Sequence, residues 1–247
     1  MVDYDRQQLE PLGCGLSVGV SAMRLLDVFS GAGGAAKGYF DAGFVPVGID
    51  IAPQKHYPFE FCQMDALEAL RRLKVGWCIE TIEGVRYYLK DFAAIHASPP
   101  CEEYSLARRN AKAPSRFGDL IPPTRKYLQN IGLHWIMENV PNAPLKAGLL
   151  LCGTHFGLPF IKHRLFEANW PLPLSPATCE HKTARRSEHR IVDTFGTGNG
   201  IQISGEAAGI LLGVPWTKTR AERRSAIPPA YTQYIGAQLV KHLEWVQ

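Results

Sequence analysis

The sequence predicts an α/β fold, with a doubly wound and mostly parallel sheet and a small irregular lobe. Three observations support this. Apolar runs typical of buried strands alternate with stretches of helical pattern. Glycine or proline follows several of these runs and ends them. The chain has 247 residues, 46% of them apolar, which is enough for one α/β core with a small appended lobe.

The elements follow in order from residue 24. Buried strands are predicted over 24–29, 44–49, 59–64, 92–97 and 135–140. A helix over 35–42 follows a glycine turn and ends at Gly43, and short helices are predicted over 206–212 and 217–223. Two prolines open a last helix over about 230–244, whose apolar residues fall on one face.

The domain organisation follows from where this pattern is lost. Residues 1–22 have no sustained period and are predicted to be a tail. Residues 23–166 and 206–247 form the main domain, and residues 167–205, rich in Pro, Thr, His, Arg and Gly, form the small lobe. No run is apolar over a membrane-spanning length and no signal peptide is recognisable, so a soluble cytoplasmic protein is expected.

Right-handed crossovers place the carboxyl ends of the parallel strands on one rim of the sheet, where such folds bind ligands. That rim collects the glycine turn 29–34 and Asp50, which ends the next strand. A glycine turn admits a ligand to the backbone, and an acidic residue at this place suits ribose hydroxyls. Neither GxGxxG nor GxxxxGK[ST] occurs, so an adenosine bearing a group with fewer phosphates is favoured. The alternative is a structural turn beside an unrelated aspartate.

The same rim contains a cysteine on a stiff turn. In HASPPCEEYS (96–105), two prolines stop the strand and Cys101 follows at once. A cysteine is more often an inert core residue, but this position is where chemistry usually occurs. Glu138 leaves another apolar strand at this rim and is either a general acid with a raised pKa or a surface carboxylate. Lys162 and Arg164 alternate along a predicted strand and would share one face.

Charge is only mildly informative about partners. The formal net charge is +4, which permits a nucleic-acid partner without requiring one. Basic residues cluster between 108 and 126 and between 182 and 190; each cluster is either a solvated loop or part of a phosphate-binding surface.

The cysteines predict neither disulfides nor metal. The six cysteines include no CxxC pair. Cys179 and His181, with His189 nearby, lack a convincing fourth ligand, so we predict no metal site.

Taken in order, the motifs resemble those of the DNA cytosine-5 methyltransferases. DVFSGAGG resembles that family's S-adenosylmethionine turn, SPPC its nucleophile loop, ENV its acid motif and GLPFIKHRLF its arginine motif. SGEAAGILLGVP and AIPPAYTQYIG resemble the segments that follow its recognition lobe, so the resemblance covers residues 24–244. It implies a class I methyltransferase, Rossmann-like fold with a target-recognition lobe, and S-adenosyl-L-methionine as cofactor.

The resemblance also implies roles for individual residues. Cys101 would add to C6 of a flipped-out cytosine, Glu138 would assist at N3, and Arg164 would contact O2 with Lys162 beside it. The implied cofactor contacts are Phe29, Ser30, Gly31, Gly33, Gly34, Asp50, Ile51, Asp65, Ala66, Pro99, Ser225 and Ala226. The implied DNA contacts are Ser105, Arg108, Arg109, Lys112, Arg185 and Arg186.

The expected partner is duplex DNA, bound by a monomer; a cognate restriction endonuclease is compatible with this expectation but not required. Three alternatives stay open. The same mechanism could act on tRNA, the chain could be a non-catalytic DNA-binding relative, or the thiol adduct could serve another modification at C5.

Overall fold

The computed structural model describes residues 23–104, 115–146, 148–179, 181, 192–193 and 201–246. Seven of the strands form the main sheet, and the four two-residue strands form two small ladders. In chain order the strands are β1 (Arg24–Val28), β2 (Val45–Asp50), β3 (Glu60–Gln63), β4 (Ile79–Glu80), β5 (Arg86–Tyr87), β6 (Phe92–Ala97), β7 (His134–Asn139), β8 (Leu149–Leu151), β9 (Arg164–Ala168), β10 (Val192–Asp193) and β11 (Ile201–Gln202).

The helices cover the sheet. They are α1 (Gly34–Asp41), α2 (Ala66–Lys74), α3 (Ile121–Gln129), α4 (Gly205–Leu212), α5 (Arg220–Ser225) and α6 (Pro229–Val246). One core cluster joins the sheet to α2 and α3, and a second joins the opposite face to α1 and α6. Both faces of the central strands are therefore buried, which explains why their sequences read as continuous apolar runs.

The order of strands in the main sheet is β3-β2-β1-β6-β7-β9-β8. Along the part of the sheet ordered β3-β2-β1-β6-β7, each strand pairs in parallel with its neighbour. Strand β9, in contrast, is antiparallel to both β7 and β8. The predicted doubly wound, mostly parallel architecture is confirmed. The chain moves outward from β1 to β3 and then returns to the other side of β1, so the carboxyl ends of β1 and β6 flank a topological switch point.

The glycine turn after β1 is supported by residues more than 180 positions further along the chain. The Trp216 indole N–H donates to the carbonyl of Ala32 at 2.7 Å, and the Thr232 hydroxyl donates to the carbonyl of Ala35 at 2.9 Å. A side chain on Gly34 would meet the carbonyl oxygen of Ile227 at 2.3 Å, so α1 can begin beside this segment only because residue 34 has no Cβ.

The predicted tail, 1–22, lies outside the described residues. Of the predicted lobe, 167–205, the described part includes the end of β9, the irregular stretch 169–179 and the β10–β11 ladder. In the part of the chain described, no helix combines the length and the apolar character needed to cross a membrane.

Candidate active site

The turn that follows β1 is sharply bent and open. Phe29 has φ 61°, the one positive φ among the non-glycine residues that the structure describes, and Gly31 continues the turn at φ 48°. A non-glycine residue in this region is strained by about 1 kcal/mol or more, and such strain is commonly found at functional sites. Nothing lies within 4 Å of where a Cβ of Gly31 would be, so the turn presents backbone to open space.

Asp50 holds this turn from the end of β2. Its Oδ2 accepts from Gly31 N–H at 3.0 Å and its Oδ1 accepts from Ala52 N–H at 2.9 Å. A carboxylate has about four acceptor positions, so both oxygens can still accept from a ligand. Ile51 stands beside it with 57% of its surface exposed, and an exposed aliphatic side chain next to a fixed carboxylate suits the face of an adenine ring.

Two buried polar atoms beneath the turn have no hydrogen-bond partner: Ser30 Oγ and Asp27 Oδ1. Burial, together with the nearby charge of Asp50, raises the pKa of Asp27 to about 8. The open turn, the fixed carboxylate, the exposed isoleucine and the unpartnered Ser30 hydroxyl fit an adenosyl ligand.

The other predicted cofactor residues lie around this turn, with differing local contacts. Asp65 caps α2 by accepting from Glu68 N–H at 2.9 Å, and Ala66 is the first residue of that helix. Ala226 is buried, and its methyl lies 3.3 Å from where a Cβ of Gly34 would be. The Ser225 hydroxyl, in contrast, donates to carbonyls within its own helix, so its side chain is engaged locally.

Cys101 lies directly beyond β6. Pro99 is buried, and its carbonyl accepts from the Asn139 side-chain amide at 2.8 Å, which attaches this turn to the end of β7. Burial raises the pKa of the half-buried Cys101 thiol, the guanidinium of Arg164 opposes that rise, and the carboxylate of Glu138 adds to it. The charges of Arg164 and Glu138 therefore both act on the thiol that follows β6.

Glu138 lies within β7 and pairs with the arginine that opens β9. Its exposed fraction is 4%, and Arg164 Nε lies 2.7 Å from Glu138 Oε1. The contact is ionic rather than a directed hydrogen bond, because no N–H points at that oxygen. Burial raises the pKa of Glu138, while Arg164, Lys162 and a hydrogen bond from Ser98 oppose the rise. A buried carboxyl with an oxygen free of directed hydrogen bonds can hold a proton and present it to a ligand.

Lys162 does not share a strand face with Arg164, so that prediction is wrong. β9 begins at Arg164, and the lysine precedes it in irregular chain. The Lys162 ammonium donates to the carbonyls of Ala226 at 2.5 Å and Arg224 at 2.9 Å. It therefore attaches the segment before α6 to the chain that leads into β9. Burial lowers its pKa well below the usual value.

None of the predicted DNA contacts can be placed. Ser105, Arg108, Arg109 and Lys112, like Arg185 and Arg186, lie outside the described residues. One basic residue near the first group is committed elsewhere: Arg125 forms two hydrogen bonds, of 2.9 and 2.7 Å, with the buried Glu167.

The structure also reveals a cluster that the sequence analysis missed. The thiols of Cys152 and Cys179 and the imidazoles of His163 and His181 converge, with one ligand atom from each lying within 4.8 Å of all the others. The reason given for predicting no metal, the lack of a fourth ligand near Cys179, was wrong. The missing partners come from the ends of β8 and β9, and only the pairing of those strands could have indicated them.

The mostly parallel seven-stranded sheet and its helices have the class I methyltransferase, Rossmann-like fold. A structure of the Entamoeba histolytica methyltransferase EhMeth is similar, with 13% identity and a TM-score of 0.50 over 92% of this chain and all of that one. A triply substituted DNMT2 from Spodoptera frugiperda aligns over 62% of this chain and 53% of its own length, with 17% identity and a TM-score of 0.43. No protein-family model matches the sequence, and neither does any curated protein.

Proposed function

We propose that this chain is a methyltransferase that uses S-adenosyl-L-methionine to methylate C5 of a flipped-out cytosine in duplex DNA. One observation carries the proposal: Arg164 Nε lies 2.7 Å from Glu138 Oε1 in a buried pair, and the charges of both side chains act on the Cys101 thiol at the end of β6. A nucleophile, a proton donor and a cation are the groups that activation of a pyrimidine at C5 requires.

The protein's own groups account for the activation. The Cys101 thiolate adds to C6 of the ring, and the electron pair displaced from the C5–C6 bond is delocalised toward C5, N3 and O2. Glu138, whose pKa is raised by burial, donates a proton or hydrogen bond to N3. Arg164 stabilises the thiolate and contacts O2.

Bound in the turn, the cofactor would supply an electrophilic methyl group. Asp50 would hold the ribose, Ile51 and Phe29 would contact the adenine, and the glycines would let the ligand approach the backbone. After methylation a solvent water takes the C5 proton and the bond between Cys101 and C6 breaks, with the sulfur departing as a thiolate. N3 returns to Glu138 any proton that it received, which restores the neutral aromatic ring.

A duplex DNA substrate places two requirements on the protein. Cytosine C6 is inaccessible in a stacked duplex, so the base must be flipped into the site, and basic residues are expected to contact the backbone phosphates. The predicted contacts at 105–112 and 185–186 would serve this purpose. One complete site per chain is consistent with a monomer.

The test is transfer of labelled methyl groups from S-adenosylmethionine to unmethylated duplex DNA, followed by digestion and identification of the modified nucleoside. We expect 5-methylcytosine from the wild type and from Cys78→Ala, a half-buried cysteine outside the site, but none from Cys101→Ala.

Retained DNA binding by Cys101→Ala would separate catalysis from binding. Methylation of tRNA but not DNA would overturn the substrate and keep the thiol mechanism. Cofactor binding with no transfer to either nucleic acid would overturn the enzymatic proposal.

A further inference from the structure

Four metal-ligand side chains from separate parts of the chain meet at the edge of the sheet opposite β3. Cys152 directly follows β8, and His163 directly precedes β9. Leu151 pairs with Arg164 in the antiparallel β8–β9 ladder, so the next residues outward, Cys152 and His163, are neighbours. Cys179 and His181 come from the irregular segment that follows β9.

Two sulfur–nitrogen separations match those of a tetrahedral metal site, and all four ligand atoms lie within 4.8 Å of one another. Cys152 Sγ lies 3.5 Å from His181 Nε2, and Cys179 Sγ lies 3.6 Å from His163 Nε2. With zinc bonds of about 2.3 Å to sulfur and 2.05 Å to nitrogen, adjacent ligand atoms of a tetrahedral site lie about 3.6 Å apart. The two imidazole rings stand 4.9 Å apart at 71°, so they converge without stacking.

We propose that Cys152, His163, Cys179 and His181 bind one zinc ion in a closed structural site. Two thiolates and two imidazoles form a complete tetrahedral set, and this ligand chemistry favours zinc over the oxygen-preferring cations. The cysteines are not joined as a disulfide. With all four positions filled by protein, no open position is left for substrate, which distinguishes a structural from a catalytic zinc site.

His155 is assigned as an outer partner of this site. Its Nε2 lies 2.9 Å from Cys179 Sγ, and its Nδ1 lies 3.4 Å from Ser175 Oγ. An N–H directed at a metal-bound thiolate is a typical second contact that orients the ligand. The assignment predicts that the zinc ion stays bound when His155 is replaced.

The site would join the segment after β9 to the core. The metal would link the two ends of the segment from Cys152 to His181. It would also hold His163, the residue immediately before Arg164, in place. Metal binding that exists only in the folded state adds directly to the stability of that state. Loss of zinc is therefore expected to lower the melting temperature.

The first experiment measures zinc per chain by elemental mass spectrometry, using full-length protein purified without a metal-affinity tag. We expect about one zinc per chain, as for a closed site. Cys179→Ser and His181→Ala should lose it, whereas Cys78→Ser and His155→Ala should keep it. A zinc-free wild type, or full zinc in Cys179→Ser, would overturn the proposal; loss of zinc from His155→Ala would overturn this ligand set.

A second measurement does not depend on variants that fold. Wild-type protein is stripped with a chelator and titrated with Co²⁺, which absorbs strongly in the visible range when tetrahedral and bound by thiolates. Saturation at one equivalent, reversed by Zn²⁺, is expected. Only the weak absorption of octahedral Co²⁺, or a Cys152–Cys179 disulfide in the unreduced protein, would contradict the site.

Discussion

Replacing Arg164 with methionine tests the energetic logic of the proposed catalytic pair. The substitution keeps the length of an apolar stem and removes the cation that lies 2.7 Å from the buried carboxyl of Glu138. Two unit charges about 4 Å apart interact by about 4 kcal/mol at an effective dielectric constant of 20. Breaking a buried pair by removing one partner typically lowers the free energy of unfolding by about 3–5 kcal/mol. We therefore expect Arg164→Met to lower the free energy of unfolding by about 3 kcal/mol at pH 8.

The loss should depend on pH with a defined sign. Burial raises the pKa of Glu138 and Arg164 opposes that rise, so the variant should raise this pKa further. A carboxyl whose pKa is higher in the folded than in the unfolded state binds more protons when folded, and stability falls as the pH rises between the two values. The deficit of Arg164→Met relative to the wild type should therefore be small near pH 5 and grow toward pH 8.

Urea unfolding between pH 5 and pH 9 measures this deficit, and a double-mutant cycle with Glu138→Gln isolates the pair. We expect Glu138→Gln/Arg164→Met to recover about 2 kcal/mol relative to the sum of the single changes. Arg71→Met, which breaks an exposed pair with Glu68, serves as the control and should have little effect. Additive single changes with a deficit independent of pH would refute the reasoning.

Three further predictions follow from the site. Arg164→Gln should shift the pH profile of Cys101 alkylation to higher pH, because it removes the cation that opposes the raised thiol pKa; a shift to lower pH would contradict this. Lys162→Met should lower the unfolding free energy by about 1–3 kcal/mol and weaken cofactor binding in calorimetry, because two backbone carbonyls lose their donor. Gly34→Ala should lower the free energy of unfolding in urea by about 1–3 kcal/mol, because the added methyl would clash with the Ile227 carbonyl. An unchanged free energy would mean that the start of α1 and the segment around Ile227 can move apart without cost.

Much of the fold could be predicted because local pattern determines it. β6 coincides with the strand predicted over 92–97, and β1 and β2 differ from prediction by about a residue at their ends. The positions of Cys101, Glu138 and Arg164 could be predicted for the same reason, because each lies at or near a strand end that apolar runs, prolines or glycines define. Parallel topology then brings those ends to one rim.

What the sequence did not predict depends on contacts between distant residues. Strand β8 has only three residues, too few for a recognisable period, and its antiparallel pairing with β9 brings Cys152 to His163. Lys162 reads as a surface lysine on a strand until its ammonium is seen to bind carbonyls more than sixty residues away. Neither relation leaves a signal in local spacing.

The attachment of the glycine turn to Trp216 and Thr232 has a consequence for the order of folding. The turn lies near residue 32, yet its supporting donors are separated from it by 184 and 197 positions in the chain. During synthesis, the amino-terminal strands can pair with one another long before those donors leave the ribosome. The turn can be completed only after residues 216 and 232 have been synthesised, and such distant contacts are typical of slow folding. A nascent chain halted before α6 should therefore contain much of the sheet but bind no cofactor.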